Sequence, residues 1–242
     1  MILDIHLLRT EHKTKEQHWQ TIPFDTALAG ADADGATVAT ALTRINALAS
    51  EGGEGLSDTN GEAVKAVAWE CSCLQKRCGA CAMVIDGRPR LACDAKLSEF
   101  EKKGRVTVEP LKKFPVVEDL VVDRSVLQEN LKHLRVWRQG DDHTVPPSGT
   151  PFVYEGSRCL QCGICLEVCP NFYAGGSFYG TASAVPAARV MALEKGGALP
   201  GAYRAHVYEG CGKSLACRNI CPAEIDIDRL LARNAGVAVW HA

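Results

Sequence analysis

The first residues, MILDIHLLRT, alternate apolar with polar positions around Asp4 and His6, the two-residue period of a half-buried strand. HWQTIPFD follows as a second strand, so the pair predicts a hairpin. ATVATALTRINALA has helical spacing and few β-branched breaks, and EGGEGLSDTNGE is a polar, glycine-rich loop. VKAVAWE then leads into a run of cysteines. MVIDGRPRLAC predicts a strand, a turn at Asp86-Gly87 and a returning strand, and RVTVEP is expected to close the sheet.

From about Pro110 the period changes from two to helical. VVDRSVLQENLKHLRVW predicts a helix capped by Asp123, with Leu127, Leu131 and Leu134 on one face. The polar connector RQGDDHTVPPSGTP follows. Ser183 and Pro186 are expected to open a helix, AARVMALEK, that stops at Gly196-Gly197, and Asp226 to cap a last one, IDRLLARN. The change of texture divides the chain into residues 1–110 and 111–242.

Composition narrows the class. The 242 residues are 46% hydrophobic and 23% charged, as in a globular protein with a real core. A formal charge of −2 supplies no basic face for a phosphate backbone, so no nucleic-acid partner is expected. The opening residues show no secretory or transit leader. The uncharged stretch Val168–Ala188 is long enough to span a bilayer, but glycines, prolines and Cys169 interrupt it, so the chain is expected to be soluble. The seven histidines are scattered, and no catalytic triad or carboxylate pair stands out.

Twelve cysteines, confined to 71–93, 159–169 and 211–221, change the picture most. Without a secretion signal they point to metal ligation rather than disulfides. Cys73, Cys78, Cys81 and Cys93 follow the C-x4-C-x2-C…C spacing of plant-type [2Fe–2S] ferredoxins. Three thiolates come from one tight loop and the fourth from a neighbouring strand, while Gly79 and Ala80 let backbone N–H groups approach the bridging sulfides. A four-cysteine zinc site fits less well, because zinc ordinarily takes two C-x2-C knuckles. Cys71 is left over, either as a free thiol or as a substitute for Cys73.

Cys159, Cys162, Cys165 and Cys169, with Pro170 next, have the bacterial cubane spacing, in which the fourth cysteine serves the other cluster. Cys211, Cys217 and Cys221, followed by Pro222, repeat that pattern with Ser214 where Cys162 stands. The swap assigns Cys159, Cys162, Cys165 and Cys221 to a [4Fe–4S] cluster. It leaves Cys169, Cys211 and Cys217 for the second site, with a hydroxyl at its fourth corner. A hydroxyl is a poor iron donor unless deprotonated. A [3Fe–4S] cluster is expected there; serine or water holding a fourth iron is the alternative. The fold class is therefore α+β: an N-terminal β-grasp [2Fe–2S] ferredoxin-like domain, then an all-α bacterial-ferredoxin-like domain with two cubane-type sites.

CLQKRCGACAM with LAC, the join FPVVEDLVVD, CLQCGICLEVCP and CGKSLACRNICP together resemble the iron–sulfur subunit of succinate dehydrogenase and fumarate reductase over nearly the whole chain. The resemblance implies an electron-transfer subunit without substrate chemistry of its own. Its partners would be a flavoprotein carrying FAD and a membrane anchor with quinone, and its place the cytoplasmic face of the cell membrane. Ubiquinone-reducing members usually carry tryptophans after the cysteine at 169 and a histidine after that at 211. Here the residues are NFYA and Gly212, so menaquinone or another acceptor fits better. LQKR, with Lys76 and Arg77, also departs from the family's usual loop. A related flavin-linked reductase acting on another unsaturated acid is the alternative function, and a zinc-stabilised interaction module the alternative class. Phe172, Tyr173, Phe178 and Tyr179 mark Val168–Ala188 as either a docking surface for the anchor or part of the core.

Overall fold

The alternation of the opening residues is realised in β1 (Ile2–Thr10), where Leu3, Ile5 and Leu7 are fully buried. The computed structural model describes residues 1–30, 35–50, 56–137, 147, 149–193 and 197–240. Residues 51–55 of the glycine-rich loop, 138–146 and 148 of the connector, and 194–196 at the expected end of AARVMALEK lie outside them. The chain divides into two compact units, Met1–Asp123 and Arg124–Ala242.

In the first unit β1 pairs antiparallel with β2 (Gln17–Asp25), Ile5 facing Ile22. After α1 (Val38–Ser50) come β3 (Ala82–Ile85), β4 (Arg88–Leu91) and β5 (Arg105–Glu109), giving the sheet order β2-β1-β5-β3-β4. RVTVEP therefore does not close the sheet at an edge. It lies inside, parallel to β1 and antiparallel to β3, because Val106 and Val108 on its apolar side are both fully buried. The turn between β3 and β4 has Asp86 at φ 48° and Gly87 at φ 74°, the left-handed pair that a tight hairpin following the strand twist requires. Helix α1 buries Val38, Ala39, Ala41, Leu42 and Ile45. Beyond the sheet, β6 (Val116–Glu118) and β7 (Val121–Val122) form a small antiparallel pair.

Three polar ties secure the approach to the cysteine loop. Asn46 accepts from Val67 N at 2.7 Å and donates to Val67 O at 2.8 Å. Asp119 takes both Arg9 Nε and Nη2 at 2.9 Å, and its two oxygens also accept from Thr10 N and Ala68 N. Arg9 Nη2 donates in addition to Ala66 O. VKAVAWE is thus held at both backbone and side-chain level before it reaches the first cysteine.

The second unit is helical: α2 (Ser125–Leu134), α3 (Thr150–Ser157), α4 (Ile164–Glu167), α5 (Thr181–Leu193), α6 (Leu199–Tyr203), α7 (Ala216–Ile220) and α8 (Ile227–Trp240). Helix α2 starts after Arg124, not on an Asp123 cap, and no side chain caps it; Leu127 and Leu134 are buried and Leu131 half-buried. Helix α5 starts at Thr181, before the expected Ser183, and carries Pro186 inside it. It is buried on nearly every side, and an apolar helix of that kind sits at the centre of its unit. A Cβ at Gly156 would meet Val185 O at 2.9 Å, so only glycine lets α3 approach α5 this closely. One π turn, Arg204–Tyr208, follows α6.

The uncharged stretch splits between its two readings. Phe172 and residues 181–188 are buried, whereas Tyr173 is exposed. Among the described residues, no helix is long and apolar enough to cross a membrane.

Candidate iron–sulfur sites

The β3–β4 hairpin brings the last two cysteines of the first motif together. Ala92 N donates to Cys81 O at 2.9 Å, and the Cys81 and Cys93 sulfurs lie 3.4 Å apart. The loop that carries Cys73 and Cys78 turns back on itself through left-handed residues at Leu74, Lys76 and Gly79. Each non-glycine residue in that conformation costs about 1–2 kcal/mol. In return, successive N–H groups turn inward, as in an anion-binding nest. Gln75 N and Arg77 N both donate to Cys73 Sγ at 3.3 Å, Ala80 N to Cys78 Sγ at 3.5 Å, and Lys76 N reaches across to Cys93 Sγ at 3.3 Å. All four sulfurs are therefore drawn into one N–H-lined cradle. The donors from Gln75 and Arg77 hold the Cys73 thiol down at about 7, whereas burial pushes Cys81 up to about 12. Cys71 is exposed, and its sulfur takes part in none of these bonds. The Lys76 ammonium pairs with Asp94 at 3.0 Å, beside Cys93.

In the helical unit the cysteines gather out of chain order. Cys159, Cys162, Cys165 and Cys221 line one cavity, together with Gln161 and Ala182. Cys169, Cys211 and Cys217 line another, with Ser214 in the same wall. The two loops share a backbone pattern: Gln161 (φ 51°) and Gly163 (φ 85°) in the first correspond to Lys213 (φ 55°) and Leu215 (φ 56°) in the second. That match places Ser214 where Cys162 stands.

Burial raises the thiols of the first cavity: Cys159 upward, Cys162 to about 11 and Cys165 well above its ordinary value. Burial raises Cys217 in the second cavity as well. Iron binding there must release these protons, since thiolate is the ligand. Soft donors and cradling N–H groups at the first place, and soft donors in largely apolar cavities at the other two, fit iron–sulfur clusters.

Sequence reasoning missed the side chains that support the sulfurs. Arg124, half-buried, donates to Cys162 O at 3.4 Å; burial lowers its pKa while the Cys162 sulfur acts against that. Gln161 Nε2 lies 3.1 Å from Cys159 Sγ and 2.8 Å from Ala182 O. The sequence carried no signal for Gln161: it placed Pro186 in an opening turn, and only the earlier start of α5 at Thr181 leaves Ala182 O in need of another donor.

A ferredoxin-like mixed sheet followed by a helical dicluster unit defines an iron–sulfur electron-transfer protein. Residues 4–129 match the family model described as a 2Fe-2S iron-sulfur cluster binding domain, and residues 155–225 that of a 4Fe-4S dicluster domain. The succinate dehydrogenase iron-sulfur subunit of Bacillus subtilis is 36% identical over 188 residues, 72% of this chain and 73% of that one. The chain belongs to the family of succinate dehydrogenase and fumarate reductase iron–sulfur subunits. The fumarate reductase iron-sulfur subunit of Haemophilus influenzae is 32% identical over 51% of this chain and 54% of its own length. In fold, the chain is similar to a chain of the Mycobacterium smegmatis Sdh1 complex in the apo form. The TM-score is 0.71 at 22% identity, over 97% of this chain and 95% of that one.

Proposed function

We propose that the electron-transfer role of this subunit runs through three clusters held by eleven cysteines. Cys73, Cys78, Cys81 and Cys93 hold [2Fe–2S]. Cys159, Cys162, Cys165 and Cys221 hold [4Fe–4S]. Cys169, Cys211 and Cys217 hold [3Fe–4S], with Ser214 at the corner that lacks a thiolate. The observation that carries this reading is the exchange of the last cysteines, Cys221 into the first cavity and Cys169 into the second. When bound, the clusters supply one-electron carriers of graded potential. The chain's own residues aim N–H groups at the sulfurs of the first and enclose the other two in largely apolar cavities.

On this reading the subunit connects a flavoprotein that carries FAD to a membrane anchor with quinone, peripheral to the cytoplasmic face of the membrane. Asn171, Phe172, Tyr173 and Gly212 beside the [3Fe–4S] ligands favour menaquinone over ubiquinone as the acceptor.

The test is made on the complex recovered through a tag on this chain. Succinate-dependent dye reduction and fumarate-dependent oxidation of a reduced donor are measured side by side, with iron and sulfide content. Activity in either direction, with nine irons per chain as the proposed set of clusters requires, is the expected result. A brown, flavin-containing complex inactive in both assays would move the partner's substrate to another unsaturated acid.

A further inference from the structure

We propose that Gln161 sets the reduction potential of the cluster held by Cys159, Cys162, Cys165 and Cys221, by holding an N–H donor against Cys159 Sγ from a carboxamide locked in place by Ala182 O. The inference rests on the ligand assignment made above and adds to it.

The lock begins with a proline. Pro186 lies inside α5 and has no N–H, so the turn above it leaves Ala182 O without its helical donor. Gln161 Nε2 supplies that donor at 2.8 Å. The same nitrogen is 3.1 Å from Cys159 Sγ, so its two hydrogens serve two acceptors, a carbonyl and a sulfur. Turning the carboxamide over would set Oε1 against both, and neither can donate. The orientation is thus fixed by chemistry, even though the buried Oε1 finds no hydrogen-bond partner among the described residues. The backbone contributes as well: the left-handed φ of 51° at Gln161 turns the side chain back over the cysteine two residues earlier.

An electron arriving at this site adds negative charge that is shared by its sulfurs, while no bond is made or broken. A donor aimed at a ligand sulfur stabilises the reduced form more than the oxidised form, and so raises the potential. Burial strengthens the effect, because the cavity is lined mostly by apolar side chains and water does not compete for the sulfur. In the second cavity the position that corresponds to Gln161 is Lys213, which is exposed and carries an ammonium instead of an amide; there the side-chain donor to a sulfur is the Thr181 hydroxyl, on Cys217.

Potentiometric titration followed by electron paramagnetic resonance on the intact complex tests this, with Gln161→Met and Gln161→Glu beside wild type. Methionine keeps length and bulk but removes the donor. The equilibrium constant for one-electron reduction of this centre should fall about tenfold, a midpoint lowered by about 59 mV. Glutamate keeps the shape but brings acceptor oxygens, and should lower the midpoint further. The [2Fe–2S] midpoint should stay where it is in both. An unchanged [4Fe–4S] midpoint in either variant with its iron retained overturns the proposal. Absence of a reduced four-iron signal from wild type would instead overturn the ligand assignment, a separate failure.

Discussion

Arg9 and Asp119, 110 residues apart in sequence, form a two-pronged buried ion pair with both N–H···O distances at 2.9 Å. Asp119 is 3% exposed, and its carboxylate also satisfies Thr10 N and Ala68 N, so one side chain joins β1, the β6–β7 turn and the lead-in to the cysteine loop. Asp119→Ala takes the counter-ion from a buried guanidinium, which keeps only its neutral acceptors on Gln20, Lys65 and Ala66, and leaves Thr10 N and Ala68 N without that carboxylate. We expect a loss of about 3–5 kcal/mol of stability in the first unit. Anaerobic urea titration should show it, with the [2Fe–2S] signal fading before the signals of the other two centres. An unchanged midpoint would mean that the network is dispensable.

Ser214 shares its cavity wall with Cys169, Cys211 and Cys217. Ser214→Cys supplies the missing thiolate, and a [4Fe–4S] cluster of lower potential should replace the three-iron one. Paramagnetic resonance of the oxidised variant decides the matter. An undiminished three-iron signal there would show that Ser214 does not face the vacant corner.

Cys71 is exposed and outside the N–H cradle that gathers Cys73, Cys78, Cys81 and Cys93. Cys71→Ser should leave iron content and all three signals unchanged. Selective loss of the [2Fe–2S] signal would put Cys71 in the ligand set.

His6 stacks on Trp19 at 4.4 Å between centroids, and its Nδ1 meets Thr21 Oγ1 at 2.8 Å. Burial, then the Arg105 charge, lowers its pKa, with Asp4 opposing. The unfolded chain therefore binds more protons just below the ordinary histidine value of about 6.5, and folding stability rises with pH through that window. Wild type should lose stability relative to His6→Gln as pH falls from 8 to about 5.5, where an unperturbed histidine would be charged. Parallel melting curves at the two pH values measure this, and a constant difference between the two proteins would refute it.

The cluster spacings were legible because a small inorganic group imposes its dimensions on a short loop. Cys73 to Cys81 and Cys159 to Cys165 each fall within one turn-rich segment, where sequence distance and spatial distance nearly coincide. The hairpin around Asp86-Gly87 was readable for the same reason, since both residues take the left-handed conformation locally. Helix boundaries were less so. Asp123 is a good capping type, but the helix starts at Ser125 with Arg124 in the capping position and no side-chain cap. Pro186 is a good first-turn residue, yet α5 runs through it, because its burial among apolar neighbours and Gln161's donation to Ala182 O offset the lost bond.

By itself, then, the order of residues determined where the thiols gather, that their spacings are those of iron–sulfur loops, and that Ser214 breaks the repeat. Those properties depend on covalent spacing and donor chemistry, which a linear chain already contains. Only the tertiary structure decided that β5 lies between β1 and β3, and that Asp119 neutralises Arg9. It alone decided that Gln161 ties Ala182 O to a cysteine sulfur. Each of these joins residues far apart along the chain. Such partners are selected by burying apolar surface and satisfying buried polar groups together, a condition on the whole fold that no local pattern expresses.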